Sequence, residues 1–158
     1  MGAYTKLLSI IVPCYNEEES VPLFYQEAIK QETFFHKKDV ELELIFVDDG
    51  SKDKTVEEVK KLREKDERIH LVSFSRNFGK EAAVYAGMAQ ATGDVVAVMD
   101  CDLQHPPETL ISMYHLWEQG WEVIEGVKKS RGTESLLHKE SAGFFYGIMS
   151  KATGVNMQ

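Results

Sequence analysis

A mostly parallel α/β sheet with helices on both faces is predicted by three features of this 158-residue sequence. Short apolar runs alternate with segments of helical character, the pattern of βαβ units. The runs hardly alternate between apolar and polar residues, as expected of strands covered on both faces. Polar and acidic residues fall directly after the runs, at the carboxyl ends of the expected strands, where open α/β sheets hold ligands.

Each element has a local reason. Leu7 to Val12 is a first buried strand, and Pro13 is expected to stop it. Ser20 reads as the N-cap of a helix running to about Glu32. Leu42 to Val47 is a second strand, ending at Asp48-Asp49-Gly50-Ser51. Thr55-Val56-Glu57-Glu58 fits a capping box, and its helix runs to about Lys65. Ile69 to Phe74 is a third strand. The polar loop Ser75-Arg76-Asn77-Phe78-Gly79-Lys80 leads into the Ala-rich helix Glu81 to Ala91, and Gly93-Asp94 turns the chain into a fourth strand. That strand, Val95 to Met99, is the longest apolar run near the middle and reads as buried. Pro106-Pro107 opens the next helix and Gly120 ends it. Trp121 to Glu125 is expected as a fifth strand. Repeats, low-complexity tracts and linkers are absent from the sequence.

Composition narrows the function classes. Hydrophobic residues are 43% and charged residues 28% of the chain, as in a globular domain. The formal net charge of -8 argues against a nucleic-acid partner, which needs a dense basic face. Carboxylates attract hard cations, so a phosphate-bearing ligand held through a metal suits an acidic chain. Two cysteines, Cys14 and Cys101, lie outside any Cys-x-x-Cys pattern, and a reducing cytosolic setting is expected. No signal-peptide pattern is visible, and no apolar run approaches the roughly 20 residues of a membrane span.

The chemistry centres on Asp100-Cys101-Asp102, directly after the fourth apolar run. In an extended segment the two carboxylates project to one side. They can share one Mg²⁺ or Mn²⁺ and leave positions open for diphosphate oxygens. The bland alternative is turn formation before Pro106, a role Asp favours. A rival enzyme class, the haloacid-dehalogenase-like phosphatases, also places Asp-x-Asp after an apolar strand. There the motif ends the first strand and a further acidic pair follows, neither of which holds here. Asn16-Glu17-Glu18-Glu19 and Asp48-Asp49 follow the first two strands, so sheet geometry is expected to gather these acidic groups on one edge.

Four segments carry a resemblance to a known family. Ile11-Val12-Pro13-Cys14-Tyr15-Asn16-Glu17-Glu18 resembles the opening motif of family 2 glycosyltransferases. Val47-Asp48-Asp49-Gly50-Ser51-Lys52-Asp53-Lys54-Thr55 resembles their second motif. Ser75 to Glu81, Ala86-Gly87 and Ala91-Thr92-Gly93-Asp94 are similar to the stretch before their metal motif, and Met99-Asp100-Cys101-Asp102-Leu103-Gln104-His105-Pro106-Pro107-Glu108 resembles the metal motif itself. The order and spacing match over nearly the whole chain, with the polyprenyl-phosphate sugar transferases most similar.

The resemblance implies a GT-A fold, a Rossmann-like, mostly parallel sheet, and inverting transfer from a nucleotide sugar, UDP-linked by the look of the loops. It implies that Pro13, Tyr15 and Glu17 line a nucleotide pocket, that Asp48 accepts a hydrogen bond from the base, and that Asp49 supports that loop. Asp100 and Asp102 would hold Mg²⁺ or Mn²⁺ and the diphosphate, with Gln104 beside them. Lys128 and Arg131 would stand where the family carries two arginines. The acceptor implied is a polyprenyl phosphate. Arg76 and Lys80 face either phosphate or solvent on this reading. Cys14 and Cys101 are expected to be neighbouring, packed thiols.

The sequence also departs from the family pattern. His105 stands where an Asp is usual, and Lys128 replaces an Arg, losing a bidentate fork. The acceptor-site motif that carries the family's general base is not in the chain. This leads to the expectation of a donor-binding part of a longer protein, with a non-catalytic nucleotide-binding module as the competing class. Residues 1–134 are expected to form the nucleotide-sugar-binding domain. Residues 135–158 are expected to be an amphipathic helix opening the acceptor or membrane-proximal part. Its stripe of Leu137, Ser141, Phe144, Phe145, Ile148 and Ala152, within 136–152, suits either a core-facing helix or a membrane surface. A cytoplasmic site, with the full-length protein on the cytoplasmic face of a membrane, is the matching location. Oligomeric state is not legible in the sequence.

Overall fold

In the computed structural model, which describes residues 4–126, the four apolar runs form β1 (Lys6–Cys14), β2 (Val40–Asp48), β3 (Ile69–Ser73) and β4 (Val95–Val98). Between them lie α1 (Ser20–Lys30), α2 (Glu32–Lys37), α3 (Thr55–Arg63) and α4 (Lys80–Gln90), with α5 (Thr109–Glu118) after β4. All pairings are parallel and the strand order is β3-β2-β1-β4.

Alternating residues of β1 and β2 divide the interior in two. Ile10, Val12, Leu44 and Phe46 join Phe24 of α1, Phe35 of α2, Val59 of α3 and Leu110 of α5 in the larger core. Ile11, Ile45 and Val47 face the other way and pack with Ala83 of α4. Helices therefore cover both faces, unequally. Small residues let α4 lie close to the sheet: a Cβ on Gly87 would stand 2.3 Å from Cγ2 of Ile11.

Several expectations need correction. Pro13 does not stop β1, which runs on to Cys14. Its missing N–H falls on the β4 side, where pairing ends at the Met99 N–H to Ile11 carbonyl bond of 2.9 Å. The proline therefore ends one ladder, not the strand. β4 is not buried on both faces. Val96 and Val98 are exposed because α4 packs on β1 and β2. Trp121 to Glu125 forms no strand. Trp121 and Val123 are largely exposed, and among the described residues no strand lies beside the segment to satisfy its backbone. The helix expected from Ser20 to about Glu32 ends at Lys30, and α2 follows after Gln31.

The expected caps also differ. Ser20 is already helical, and Glu19 before it makes no side-chain cap bond. The capping box at Thr55 does not form. Asp53 accepts from the Thr55 N–H at 3.0 Å and from its hydroxyl at 2.5 Å. That leaves the Thr55 oxygen to accept from the Glu17 N–H at 2.8 Å, across 38 residues. One cap thus ties the β1–α1 loop to the β2–α3 loop.

Two polar networks hold the sheet away from its carboxyl end. Buried Glu43 of β2 accepts from the Ser9 hydroxyl and from the Thr92 N–H and hydroxyl. Burial opposes ionisation there, yet these donors hold its carboxyl below the usual range. Arg68 joins Glu32, Glu41 and Asp66. Chiefly through its hydrogen bonds to Arg68, Asp66 is held down at about 2. Its folded-state pKa lies below the unfolded value of roughly 3.9, so this stabilisation is complete above that value and fades as pH falls toward 2. The pair contributes on the order of 2 kcal/mol at neutral pH. Asp66→Asn should lower stability by about that amount at pH 7 and flatten the acid limb between about pH 4 and pH 2 in urea unfolding. An acid limb as steep as the parent's would contradict this.

No helix among the described residues is long and apolar enough to cross a membrane. The expected fold boundary after residue 134 and the stripe at 136–152 lie outside the described residues.

Candidate functional site

The strand order makes one crevice. Successive connections from β1 step outward to β2 and β3, and the next places β4 on the opposite side of β1. At that reversal, outside the carboxyl ends of the strands, an open α/β sheet holds its ligand. A cleft of about 240 Å³ lies there. Its walls are Pro13, Cys14, Tyr15 and Glu17 after β1, Asp49 after β2, Lys80 and Ala83 of α4, and Asp100, Cys101 and Asp102 after β4. β1 and β4 part company at Pro13, so the proline helps to open the crevice.

Asp100 lies beyond β4, which ends at Val98, and Cys101 and Asp102 enter a turn, so the segment is not the extended run expected. Burial still alternates along it. Cys101 is buried in the larger core, while Asp100 and Asp102 reach the cleft. Asp102 accepts the Gln104 N–H at 3.0 Å. Between them Leu103 has φ of 61°, the left-handed region, an uncommon conformation for a bulky side chain. Backbone strain of this kind concentrates at functional sites. The Asp100 carboxylate meets the Lys80 ammonium at 2.5 Å.

Lys80 is placed there by Asp49. The buried Asp49 carboxylate accepts the Phe78 N–H at 2.7 Å and the Gly79 N–H at 3.0 Å. Gly79, with φ of 102°, then turns the chain into α4. Gly50 permits the same loop to approach: its φ is 73°, and a Cβ there would stand 2.3 Å from the Arg76 carbonyl carbon. The loops after β1 and β2 are also bonded together. Asn16 donates its N–H to Ser51 and accepts the Lys52 N–H, and Glu18 accepts the Lys54 N–H. In the run after β1, Asn16 and Glu18 therefore lock loops together, and Glu17 lines the cleft.

Asp48 is only 2% exposed and is not among the cleft-lining residues. It accepts the Ser51 N–H at 3.2 Å and the Ser73 hydroxyl at 3.1 Å. Gln104 and His105 follow the motif without lining the cleft. The Arg76 guanidinium lies 4.3 Å from the centre of the Phe78 ring. Lys128 and Arg131 lie outside the described residues. Cys14 and Cys101 are in contact. Hydrogen bonding to Cys101, then burial, push the Cys14 thiol up, which suits a packed thiol and not a nucleophile.

Lys80 is the cleft residue that sequence reasoning left undecided. The expected helix starts at Glu81 and leaves Lys80 in the loop. In the structure Lys80 opens α4, where a cation opposes the helix dipole, and such a local conflict marks positions held by tertiary contacts or function.

The site suits a divalent metal. Two hard oxygen donors two residues apart reach one cleft, and a cation already sits on one of them. Glu32, His36 and Glu41 form another cluster with metal-ligand spacing. There Arg68 bonds both glutamates and supplies the positive charge.

Comparison with known proteins agrees with this geometry. The family model described as glycosyl transferase family 2 matches residues 9–155. The chain is 39% identical over 149 residues to an uncharacterized glycosyltransferase, YkcC, of Bacillus subtilis, covering 94% of this chain and 45% of that protein. It is 37% identical over 144 residues to the bactoprenol glucosyl transferase of Shigella phage SfX, covering 91% and 46% respectively. It is 38% identical over 156 residues to the undecaprenyl-phosphate 4-deoxy-4-formamido-L-arabinose transferase of Photorhabdus laumondii, covering 96% and 46%. Among solved structures, a mannosyltransferase of Pyrobaculum calidifontis in complex with GDP-Man and Mn²⁺ aligns with TM-score 0.55 and 29% identity, over 66% of this chain and 30% of that one. S. aureus TarS 1-349 in complex with UDP aligns with TM-score 0.59 and 27% identity, over 81% and 38%. These neighbours share the GT-A fold. The chain spans about half the length of the relatives it matches. With the family model matched from β1 through the metal motif and beyond, and the parallel sheet in place, the chain belongs to glycosyl transferase family 2.

Proposed function

We propose that this chain binds the donor of a glycosyl transfer, a nucleoside-diphosphate sugar with UDP as its nucleotide, through a divalent metal at Asp100 and Asp102. The carrying observation is the juxtaposition of both carboxylates with Lys80 in the crevice at the sheet's reversal point. Mg²⁺ or Mn²⁺ at that place would neutralise charge on the departing diphosphate. Pro13, Tyr15 and Glu17 would face the nucleotide. Asp48 enters this reading only through lone pairs its two bonds leave unused. Gln104, Lys128 and Arg131 would serve the diphosphate.

The full-length protein would be an inverting transferase. An acceptor oxygen attacks the anomeric carbon from the face opposite the diphosphate, the new C–O bond forming as the bond to the diphosphate breaks. The acceptor class is a polyprenyl phosphate, supported by the names of relatives acting on bactoprenol and undecaprenyl phosphate. Its attacking oxygen is already anionic and needs little help from a base. Such a lipid acceptor would place the reaction at a membrane, on its cytoplasmic face. Residues 1–134 would be the donor domain, and 135–158 would begin the part that meets the acceptor.

Thermal unfolding with UDP, GDP and UMP, each with and without Mn²⁺, tests the binding half. UDP with Mn²⁺ should raise the melting temperature most, since a ligand at a hundred times its Kd stabilises by about 2.7 kcal/mol. If no nucleoside diphosphate shifts the transition, the reading is wrong.

A further inference from the structure

We infer that Lys80 is a diphosphate-binding residue that changes partner, holding Asp100 when the metal is absent and turning to the donor's phosphates when a metal occupies Asp100. The inference rests on the donor-binding reading above and goes one residue beyond it.

Four carboxylates and one ammonium are among the side chains lining the cleft. The ammonium, Lys80 Nζ, lies 2.5 Å from Asp100. The two side chains are 58% and 37% exposed. A pair this open to solvent is weak and readily exchanged. A divalent cation on Asp100 and Asp102 would compete directly for the same oxygen. The released ammonium cannot move far at its base, because Gly79 before it is bonded to Asp49. Its flexible four-carbon stem can still swing within the cleft. It carries its charge at the N-terminus of α4, where the helix dipole already favours an anion. A nucleoside diphosphate bridging metal and Lys80 would meet positive charge from two sides. In the absence of metal, the same lysine keeps the acidic cleft from standing uncompensated.

The two states predict opposite signs for one substitution. Without nucleotide, Lys80→Met should bind Mn²⁺ two- to fivefold more tightly, because a competitor of exposed-pair strength is gone. With Mn²⁺ present, the same variant should bind UDP about tenfold more weakly or worse, the loss of a charge-assisted bond to phosphate. Lys80→Arg should keep UDP binding within a few-fold. The readouts are free Mn²⁺ by electron paramagnetic resonance and UDP by calorimetry. Lys80→Gln serves as a second variant, with melting temperature as the control for folding. Weaker Mn²⁺ binding together with weaker UDP binding would mark a merely structural role, and unchanged UDP binding in Lys80→Met would overturn the inference alone. A parent chain that binds no nucleoside diphosphate would sink the donor-binding reading and this inference with it.

Discussion

Asp102→Asn is expected to weaken Mn²⁺-supported UDP binding by about a hundredfold or more while leaving the fold nearly as stable as before. Even residues that merely orient metal ligands cost 10- to 100-fold in metal affinity when replaced, so a carboxylate placed as a ligand should cost at least as much. The stability half follows from where Asp102 sits. It is exposed, and its one bond in the turn is accepted from the Gln104 N–H. An Asn carbonyl can accept the same bond. Exposed substitutions of this sort usually change stability by less than about 0.5 kcal/mol. Binding lost with melting unchanged is the signature of a ligand. Binding and melting lost together would make Asp102 a turn former, the alternative the sequence left open. Calorimetry of UDP with Mn²⁺, beside a thermal melt of both proteins, separates the two.

Asp49→Ala should show the reverse order of effects. Its carboxylate is buried and accepts two backbone N–H groups that set the start of α4. Hydrogen bonds to a charged group contribute about 1.5 to 3 kcal/mol each. The variant should lose roughly 3 kcal/mol in urea unfolding, a large fraction of a typical domain's stability. Nucleotide affinity should fall as a consequence, because the loop that presents Lys80 to the cleft has lost its anchor. Asp49→Asn keeps one carbonyl acceptor and should fall between the two. Unchanged stability in Asp49→Ala would mean that the loop is fixed by other contacts, and the account of how the cleft is built would need revision.

The apolar runs were legible because burial leaves a signature in composition. Each expected strand from β1 to β4 overlaps the strand found there, with ends that differ by at most two residues. Acidic groups after three of them, Glu17, Asp49, Asp100 and Asp102, line one cleft at the carboxyl edge of the sheet. What the runs do not encode is who covers them. Val95 to Met99 looks uniformly apolar, yet Val96 and Val98 are exposed because α4 lies over the neighbouring strands. Trp121 to Glu125 has the composition of a strand and no ladder partner among the described residues.

The site was legible in its residue types and less so in their use. The acidic run after β1 reads as charge gathered at the ligand edge, and Asp49 as support for the loop after β2. The structure commits Asp49, Asn16 and Glu18 to backbone N–H groups about 30 to 36 residues away in sequence. Such bonds leave no periodicity to detect. The same holds for Thr55, whose capping-box partner three residues on is replaced by Asp53 and Glu17. Lys80 was a conflict with the helix dipole that only its pairing with Asp100 resolves.

The central claim is that Asp100 and Asp102 hold a metal for a nucleoside diphosphate. Its most direct test is a Mn²⁺ titration followed by electron paramagnetic resonance, with UDP present, on the parent chain and on the Asp100→Asn, Asp102→Asn double variant. The account predicts one Mn²⁺ site in the parent, tightened by UDP, and its loss in the double variant. A double variant that retains that site at parental affinity would contradict it.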